Sequence, residues 1–407
     1  MSKVIPNFAF EGDKVDIGSG HKVEQVETFV VDGGWRNYLI VKITTADGVV
    51  GWGDATLGWK EFAVQSLVDE FAERYVIGTD PFAIEALWFK LYQVEHNTGP
   101  VMFSAMAGLE TALWDVVGKI CGQPVVNLVG GMIRNRVKAY ANGWYSSVAD
   151  EGKLREQAAH ALSLGYRALK LDPFGAGGRE ISREQLRKAV KTTLTVRDAV
   201  GPDVDILIEC HGRFSVGTAI EAIKAMQECQ PLFCEEPIPA HNLDSQAWVT
   251  RAASAMGARV ATGEHTYSRF GFQELLQKQA AHVIQPDLVY SGGFMETKKI
   301  AAMAEAHYVS VAPHNCDGPG RLMASIHLCA NIPNFLVLES FADFDVPWRK
   351  DLVSEGAPIL GKDGCYPVPT TPGWGYQINE EVARAHPGST SARMDMFAGD
   401  WEAQMCQ

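Results

Sequence analysis

Between residues 137 and 340 the chain repeats one pattern: a short, largely apolar run, then a longer stretch with apolar positions at helical spacing. The runs read VKAYANGW (137–144), RALKLDPF (167–174), DILIE, PLFCE, RVATGE, HVIQPD, VSVAPH and FLVLES (335–340). Short runs of this kind suit strands buried on both faces, and a strand–helix beat predicts a parallel barrel wrapped in helices. Helix 150–164, closed by Gly165, fills the first interval. Glu209, Glu235, Glu264, Asp287 and His314 end five consecutive runs at intervals of 23–29 residues. Polar residues at such strand ends converge on one mouth, where a barrel of this kind does its chemistry.

The first third has a different rhythm. Residues 22–31 and 38–45 alternate apolar and polar positions, and TADGVVGWGD adds an Asp-Gly turn and a third strand, which predicts an antiparallel meander. Segments 60–77 and 81–95 have helical spacing, the second starting at Asp80-Pro81. Residues 104–122 hold small and apolar residues in helical phase up to a glycine, the pattern of a buried helix joining two modules. After FLVLES the chain turns rich in Pro and Gly (GAPIL, YPVPTTPGWGYQI), which predicts extended chain packing back onto the first module. The expected units are an α+β capping domain over 1–133, a barrel over 134–345 and a returning segment over 346–407.

Composition narrows the partners. The 407 residues are 46% hydrophobic and 21% charged, as in a globular protein with ample core. A net charge of −13 argues against nucleic acid or an anionic membrane as partner. An anionic small-molecule substrate is still compatible, because a bound divalent cation reverses the sign locally. Eight cysteines without a CxxC pair read as reduced thiols in a cytoplasmic protein. The start, MSKVIPNFAFEGDK, lacks the apolar core of a signal peptide, and no run reads as long enough to span a bilayer.

The strand ends carry the chemistry. One isolated glutamate at a barrel mouth is ordinarily solvated or salt-bridged. Glu209, Glu235 and Glu264 on consecutive strands instead offer a half-shell of oxygen ligands, which hard cations such as Mg²⁺ prefer and which Mn²⁺ also accepts. Glu236 should face away from the axis into an ion pair. Asp287 and His314 end adjacent strands, so the carboxylate can fix the imidazole tautomer and leave its other nitrogen as a general base. Glu209 with His211, and Lys170 with Asp172, are i, i+2 pairs that share a face. Lys170 would face the mouth opposite His314, to stabilise an oxyanion or act as a base; the plainer reading of LKLD is a barrel salt bridge.

The order Lys170-x-Asp172, Glu209-x-His211-x-Arg213, Glu235-Glu236-Pro237, Gly263-Glu264-His265, Gln285-Pro286-Asp287, His314 and Glu339 resembles the enolase superfamily, mandelate racemase subgroup. The likeness covers nearly the whole chain and includes the PGWG segment. It implies an α/β fold, a (β/α)7β barrel with an N-terminal α+β cap, and homo-oligomers. It implies Mg²⁺ on Glu209, Glu235 and Glu264, and an Asp287–His314 dyad that removes the proton α to a carboxylate. Glu339 would then hydrogen-bond the substrate carboxylate as it becomes an enediolate. Such a site makes chemical sense, since a divalent ion and positioned donors stabilise the second negative charge as it develops.

Three reactions can follow enolisation. Racemisation or epimerisation calls for a base on each face, and the subgroup commonly has a second Lys where this chain has Asp172; Lys170 could serve instead. Ring isomerisation is the second option. Elimination of water needs one base and one acid, and His211 beside a metal ligand suits the acid. ECHGRF is similar to the acid-carrying strand of galactonate dehydratase-like enzymes, although their first ligand is usually Asp where this chain has Glu209. The favoured expectation is dehydration of an aldonic-type sugar acid to a 2-keto-3-deoxy acid. Arg213 would hold a distal hydroxyl or second carboxylate, or pair structurally near Glu236. Asp172 is a further substrate-binding candidate, as are His21 and Trp59 from capping loops near 17–23 and 53–60. A catalytically silent binding barrel is the contrasting class, disfavoured by the joint presence of ligands, dyad and Glu339.

Overall fold

The structure, a computed structural model, describes residues 14–94, 96–316 and 318–395. The expected N-terminal feature at 1–13, the end of the returning segment at 396–407 and Cys406 lie outside the described residues.

The alternating first segment forms an antiparallel meander, β1 (Val23–Asp32), β2 (Asn37–Thr45) and β3 (Val50–Asp54). Helix α1 (Glu61–Phe71) passes into a π-helical turn over Ala72–Val76, which ends the expected 60–77 helix in a changed pitch. Helices α2 (Ile84–Val94) and α3 (Pro100–Ile120) follow, α3 starting earlier than residue 104 because Pro100 opens it at the first turn, where the missing N–H costs nothing. A side chain at Gly53 would collide with the Gly108 carbonyl, so glycine lets α3 lie directly on β3. By length and composition α3 could cross a bilayer, a correction to the sequence reading, but 89% of its apolar window is buried inside the fold.

Short α4 (Val125–Leu128) leads into the barrel. Its strands are β4 (Arg136–Ala141), β5 (Ala168–Leu171), β6 (Asp205–Glu209), β7 (Cys234–Glu235), β8 (Val260–Thr262), β9 (Val283–Ile284), β10 (Ser310–Val311) and β11 (Leu338–Ser340). Each pairs in parallel with the next, β11 pairs with β4, and a parallel bridge from Val311 to Phe335 closes the ring. Helices α5 (Glu151–Leu164), α6 (Arg183–Val200), α7 (Val216–Met226), α8 (Leu243–Ala255), α9 (Ser268–Gln277), α10 (Phe294–Ala306) and α11 (Pro319–Asn331) occupy the seven intervals. The result is a (β/α)7β barrel.

Inside the barrel, Tyr140, Ala168, Leu207, Phe233, Ala312 and Val337 belong to a dry plug. Strand side chains repeat every second residue on one face. The next inward positions are therefore Asn142, Lys170, Glu209, Glu235, His314 and Glu339, one pleat above the plug. Local pleating thus lifts the polar layer onto an apolar floor.

After β11 come α12 (Arg349–Leu352), β12 (Val353–Glu355), β13 (Cys365–Pro367), β14 (Gln377–Ile378) and α13 (Glu380–Ala385). Strand β13 pairs antiparallel with the start of β4. Buried Trp374 donates its backbone N–H to Asp115 at 2.8 Å and its ring N–H to the Thr111 carbonyl at 2.8 Å, and its ring packs edge-on against Phe294 and His327. Further on, Asp32 donates to the His386 carbonyl and Gly388 to that of Val30, each at 2.8 Å.

Candidate active site

A cavity of about 480 Å³ opens at the C-terminal ends of the strands. Its floor is polar, from Asn142, Lys170, Glu209, Glu264, His314 and Glu339, and the loop 57–60 and aromatic side chains including Trp35, Tyr145, Tyr290 and Phe341 wall it above. A few convergent polar groups beneath an apolar wall are the usual make-up of a small-molecule site.

Lys170 sits at the centre of the floor. Its ammonium lies 2.7 Å from Glu235, 2.9 Å from Glu339 and 3.0 Å from Glu209. Burial alone would lower the Lys170 pKa, but Glu235 and Glu339 outweigh it and push it well above the ordinary value. Burial raises the Glu209 and Glu339 carboxyls, yet Lys170 overrides it, with His211 for Glu209 and His314 for Glu339, holding each at about 2. Glu339 also accepts from the Asn142 side chain at 2.7 Å and the Asn315 backbone at 2.9 Å. It is an acceptor toward all these neighbours, so donating to a substrate carboxylate requires it to take up a proton.

Glu235 is the exception. Burial and the neighbouring Glu209 push its carboxyl well above the carboxylate range, and its Oε2 is buried without a hydrogen-bond partner. One ammonium leaves this cluster short of positive charge, so an oxygen-seeking cation fits its donors. Glu264 belongs to the rim of the same group. Gly263, at φ +139°, takes the in-phase position on β8 and turns the chain so that Glu264 lines the cavity. Glu264 also lies with Glu236 and His265, whose ligand atoms and its own fall within 4.8 Å of one another. Glu236 has the ion pair expected of it, 3.0 Å from His265 Nδ1, and belongs to this set of clustered ligand atoms.

Two histidines line the cavity. His314 donates Nδ1–H to Asp287 at 2.7 Å, and its Nε2 is 3.6 Å from Glu264 and 3.9 Å from Glu339. Asp287 is fully buried; its other oxygen accepts the backbone N–H groups of Val289 and Tyr290 at 2.8 and 3.0 Å. Burial raises its carboxyl, but Arg321 and His314 draw it below the ordinary value. His211 mirrors this on the other histidine strand: it donates Nδ1–H to Asp172 at 2.7 Å, and its backbone N–H donates to Glu209 at 2.7 Å. Burial lowers the His211 pKa, and Glu209 and Asp172 more than reverse it.

Three substrate-binding expectations need correction. Asp172 is fully buried behind His211 and accepts from His211, from the Arg213 guanidinium and, through Oδ1, from the Phe174 backbone at 2.9 Å. Arg213 donates to Asp172 and to the carbonyls of Cys210, Gly175 and Gly177, so it faces the His211 support and not the cavity. His21 pairs with Asp47 at 2.9 Å in the cap, and the 17–23 loop does not line the cavity. Trp59 does line it, its ring N–H donating to the Trp35 carbonyl at 3.0 Å. Sequence reading missed Asn142, although its place two residues beyond Tyr140 was a readable signal. It also missed Arg321, for which no local signal exists.

Residues 26–130 match the mandelate racemase / muconate lactonizing enzyme N-terminal domain, and residues 153–382 match the enolase C-terminal domain-like family. D-gluconate dehydratase of Thermoproteus tenax is 37% identical over 368 residues, covering 88% of this chain and 73% of that protein. D-xylonate dehydratase of Haloferax volcanii is 33% identical over 376 residues, covering 90% and 89%. A solved mandelate racemase/muconate lactonizing enzyme-like protein from Roseovarius sp. TM1035 superimposes with a TM-score of 0.84 at 32% identity, covering 92% of this chain and 98% of that one.

Proposed function

The chain belongs to the enolase superfamily, with the N-terminal domain of the mandelate racemase / muconate lactonizing enzymes, and on that premise we propose that it dehydrates an aldonic-type sugar acid to a 2-keto-3-deoxy acid. The observation that carries this reading is the pair of imidazoles, His314 and His211, each held through Nδ1 by a buried aspartate and each lining the same cavity. Elimination needs one base and one acid. In this reading His314 Nε2 takes the proton from C2, next to the carboxylate. His211 Nε2–H gives a proton to the 3-hydroxyl, which leaves as water. The resulting enol ketonises to the 2-keto-3-deoxy acid. The dehydratase names of the two relatives support this choice of reaction.

Lys170 divides its donors among Glu209, Glu235 and Glu339, the geometry of a charge neutraliser. That weighs against a second base and hence against racemisation. Glu209, Glu235 and Glu264 would hold Mg²⁺, or Mn²⁺ in its place, and the metal would supply positive charge for the second negative charge that enolisation places on the carboxylate. The Trp35, Trp59 and Phe341 wall would enclose the hydroxylated tail of a small-molecule substrate. The seven described cysteines are all free, in keeping with work in the cytoplasm.

The test is turnover of D-gluconate and D-xylonate with Mg²⁺, reading both 2-keto-3-deoxy product and deuterium uptake at C2. His314→Asn should lose both signals. His211→Asn should keep exchange while elimination falls by roughly 10²–10⁴-fold. Epimerised or cyclised products without loss of water would sink the proposal.

A further inference from the structure

We propose that Arg321 is a positioning residue through which the capping domain sets the aim of the His314 imidazole, an inference that rests on the dyad reading above. Arg321 lies in the first turn of α11 and is fully buried. Its guanidinium donates to Asp287 Oδ2, the oxygen that also accepts His314 Nδ1–H. Its other terminal nitrogen donates to the carbonyl of Thr56, in the loop between β3 and α1. The Arg321 backbone N–H donates to Asp54 at the end of β3, at 3.2 Å. Asp54 in turn accepts the Thr56 N–H at 3.0 Å, so it grips both sides of the junction.

The surroundings are shaped for this junction. A side chain at Gly318 would meet the Asp54 carboxylate, so glycine clears the approach. The guanidinium lies 4.9 Å from the Tyr290 ring centre, and that ring is 5.9 Å from His314. Asp287 Oδ1 is pinned by backbone N–H groups of its own loop, whereas Oδ2, which orients the imidazole, is shared with a guanidinium anchored in the cap. A planar fork can serve two acceptors in fixed directions at once; an ammonium on a flexible stem cannot hold the same pair. The cap therefore contributes to the direction of proton abstraction as well as to enclosure.

The test compares Arg321→Met and Arg321→Lys with the wild type, all loaded with Mg²⁺. One readout is the His314 Nδ1–H resonance of ¹⁵N-histidine-labelled protein; the other is kcat and KM for D-gluconate. Arg321→Met should shift or broaden that resonance and lower kcat by about 100-fold with KM within about threefold, as expected for a misdirected reacting group. Arg321→Lys, which keeps charge on Asp287 but gives up Thr56, should leave the resonance between those of Arg321→Met and the wild type and recover kcat only to about tenfold below wild type. A folded Arg321→Met with both readouts unchanged, or with its loss confined to KM, overturns the proposal. If Arg321→Met does not fold, Arg321→Lys decides: about tenfold lower kcat at unchanged KM supports the role, and wild-type values refute it. Should the wild type leave D-gluconate unreacted, the resonance still decides on Arg321 and only the substrate reading falls.

Discussion

Asp172→Asn is the substitution that most sharply tests the support behind His211. Asp172 Oδ2 accepts from both His211 and Arg213, while Oδ1 accepts the Phe174 N–H. An asparagine has one acceptor oxygen. If it faces His211 and Arg213, its NH₂ group meets the Phe174 N–H donor to donor; if it is flipped, His211 loses its acceptor. The lost charge-assisted bond to His211 is worth about 1.5–3 kcal/mol. If that energy acts on the transition state, elimination slows by roughly 10–150-fold. The mismatched buried donor costs about 1–3 kcal/mol of stability. The assay follows 2-keto-3-deoxy product and C2 deuterium exchange side by side, with urea unfolding for stability. Exchange should persist near the wild-type rate, because the His314 side of the cavity is untouched. Equal losses in exchange and elimination, or an unaffected elimination rate, would refute the assignment of Asp172 as the anchor of an acid.

Two further outcomes follow from buried charge. Stripping divalent cations with a chelator should abolish turnover and lower the melting temperature; Mg²⁺ at about 100 times its dissociation constant should restore roughly 2.7 kcal/mol, and Glu235→Gln should weaken that recovery. Glu110 of α3, buried at the interface with α10, accepts from the Phe294 and Met295 backbones and from Trp114; burial outweighs these bonds and lifts its carboxyl to about 7 from 4.5. The folded chain then binds an extra proton between those values, so stability rises as pH falls from 7 towards 4.5, by about 3 kcal/mol at most, and is flat in this respect above 7. Urea unfolding of wild type and Glu110→Gln across that range should show the wild type gaining relative to the variant at the acid end, and a pH-independent difference would contradict it.

The barrel was legible because its strands are short, buried and closed by polar residues. Each such residue stands at a fixed pleat above the plug, so Glu209, Glu235 and His314 could be placed from spacing, whereas Glu339 entered only through the family resemblance. The readings that failed depended on what lies opposite. Lys170 and Asp172 stand two residues apart at the end of β5, but only the fold reveals that Lys170 faces three carboxylates while Asp172 takes up His211 and Arg213. His21 looked like a loop residue near the mouth, whereas its partner Asp47 lies in the turn between β2 and β3. The contacts of Arg321 with Asp54 and Thr56 span more than 260 positions. No periodicity reports a pairing of that range.

The return of the chain to its starting module has a consequence for how the protein is made. The N-terminal module is completed by chain from both sides of the barrel. Trp374 completes the hydrogen bonding of Asp115 and Thr111 on α3, and α13 packs beside β1, where Lys42 meets Glu380 at 2.6 Å. During synthesis that module must wait, unfinished, until the barrel has emerged and the segment carrying Trp374 and α13 follows it. The segment made after the barrel thus completes the module made before it, and truncation beyond β11 would damage that distant module and strip β13 from the start of β4, far from the strand ends that line the cavity.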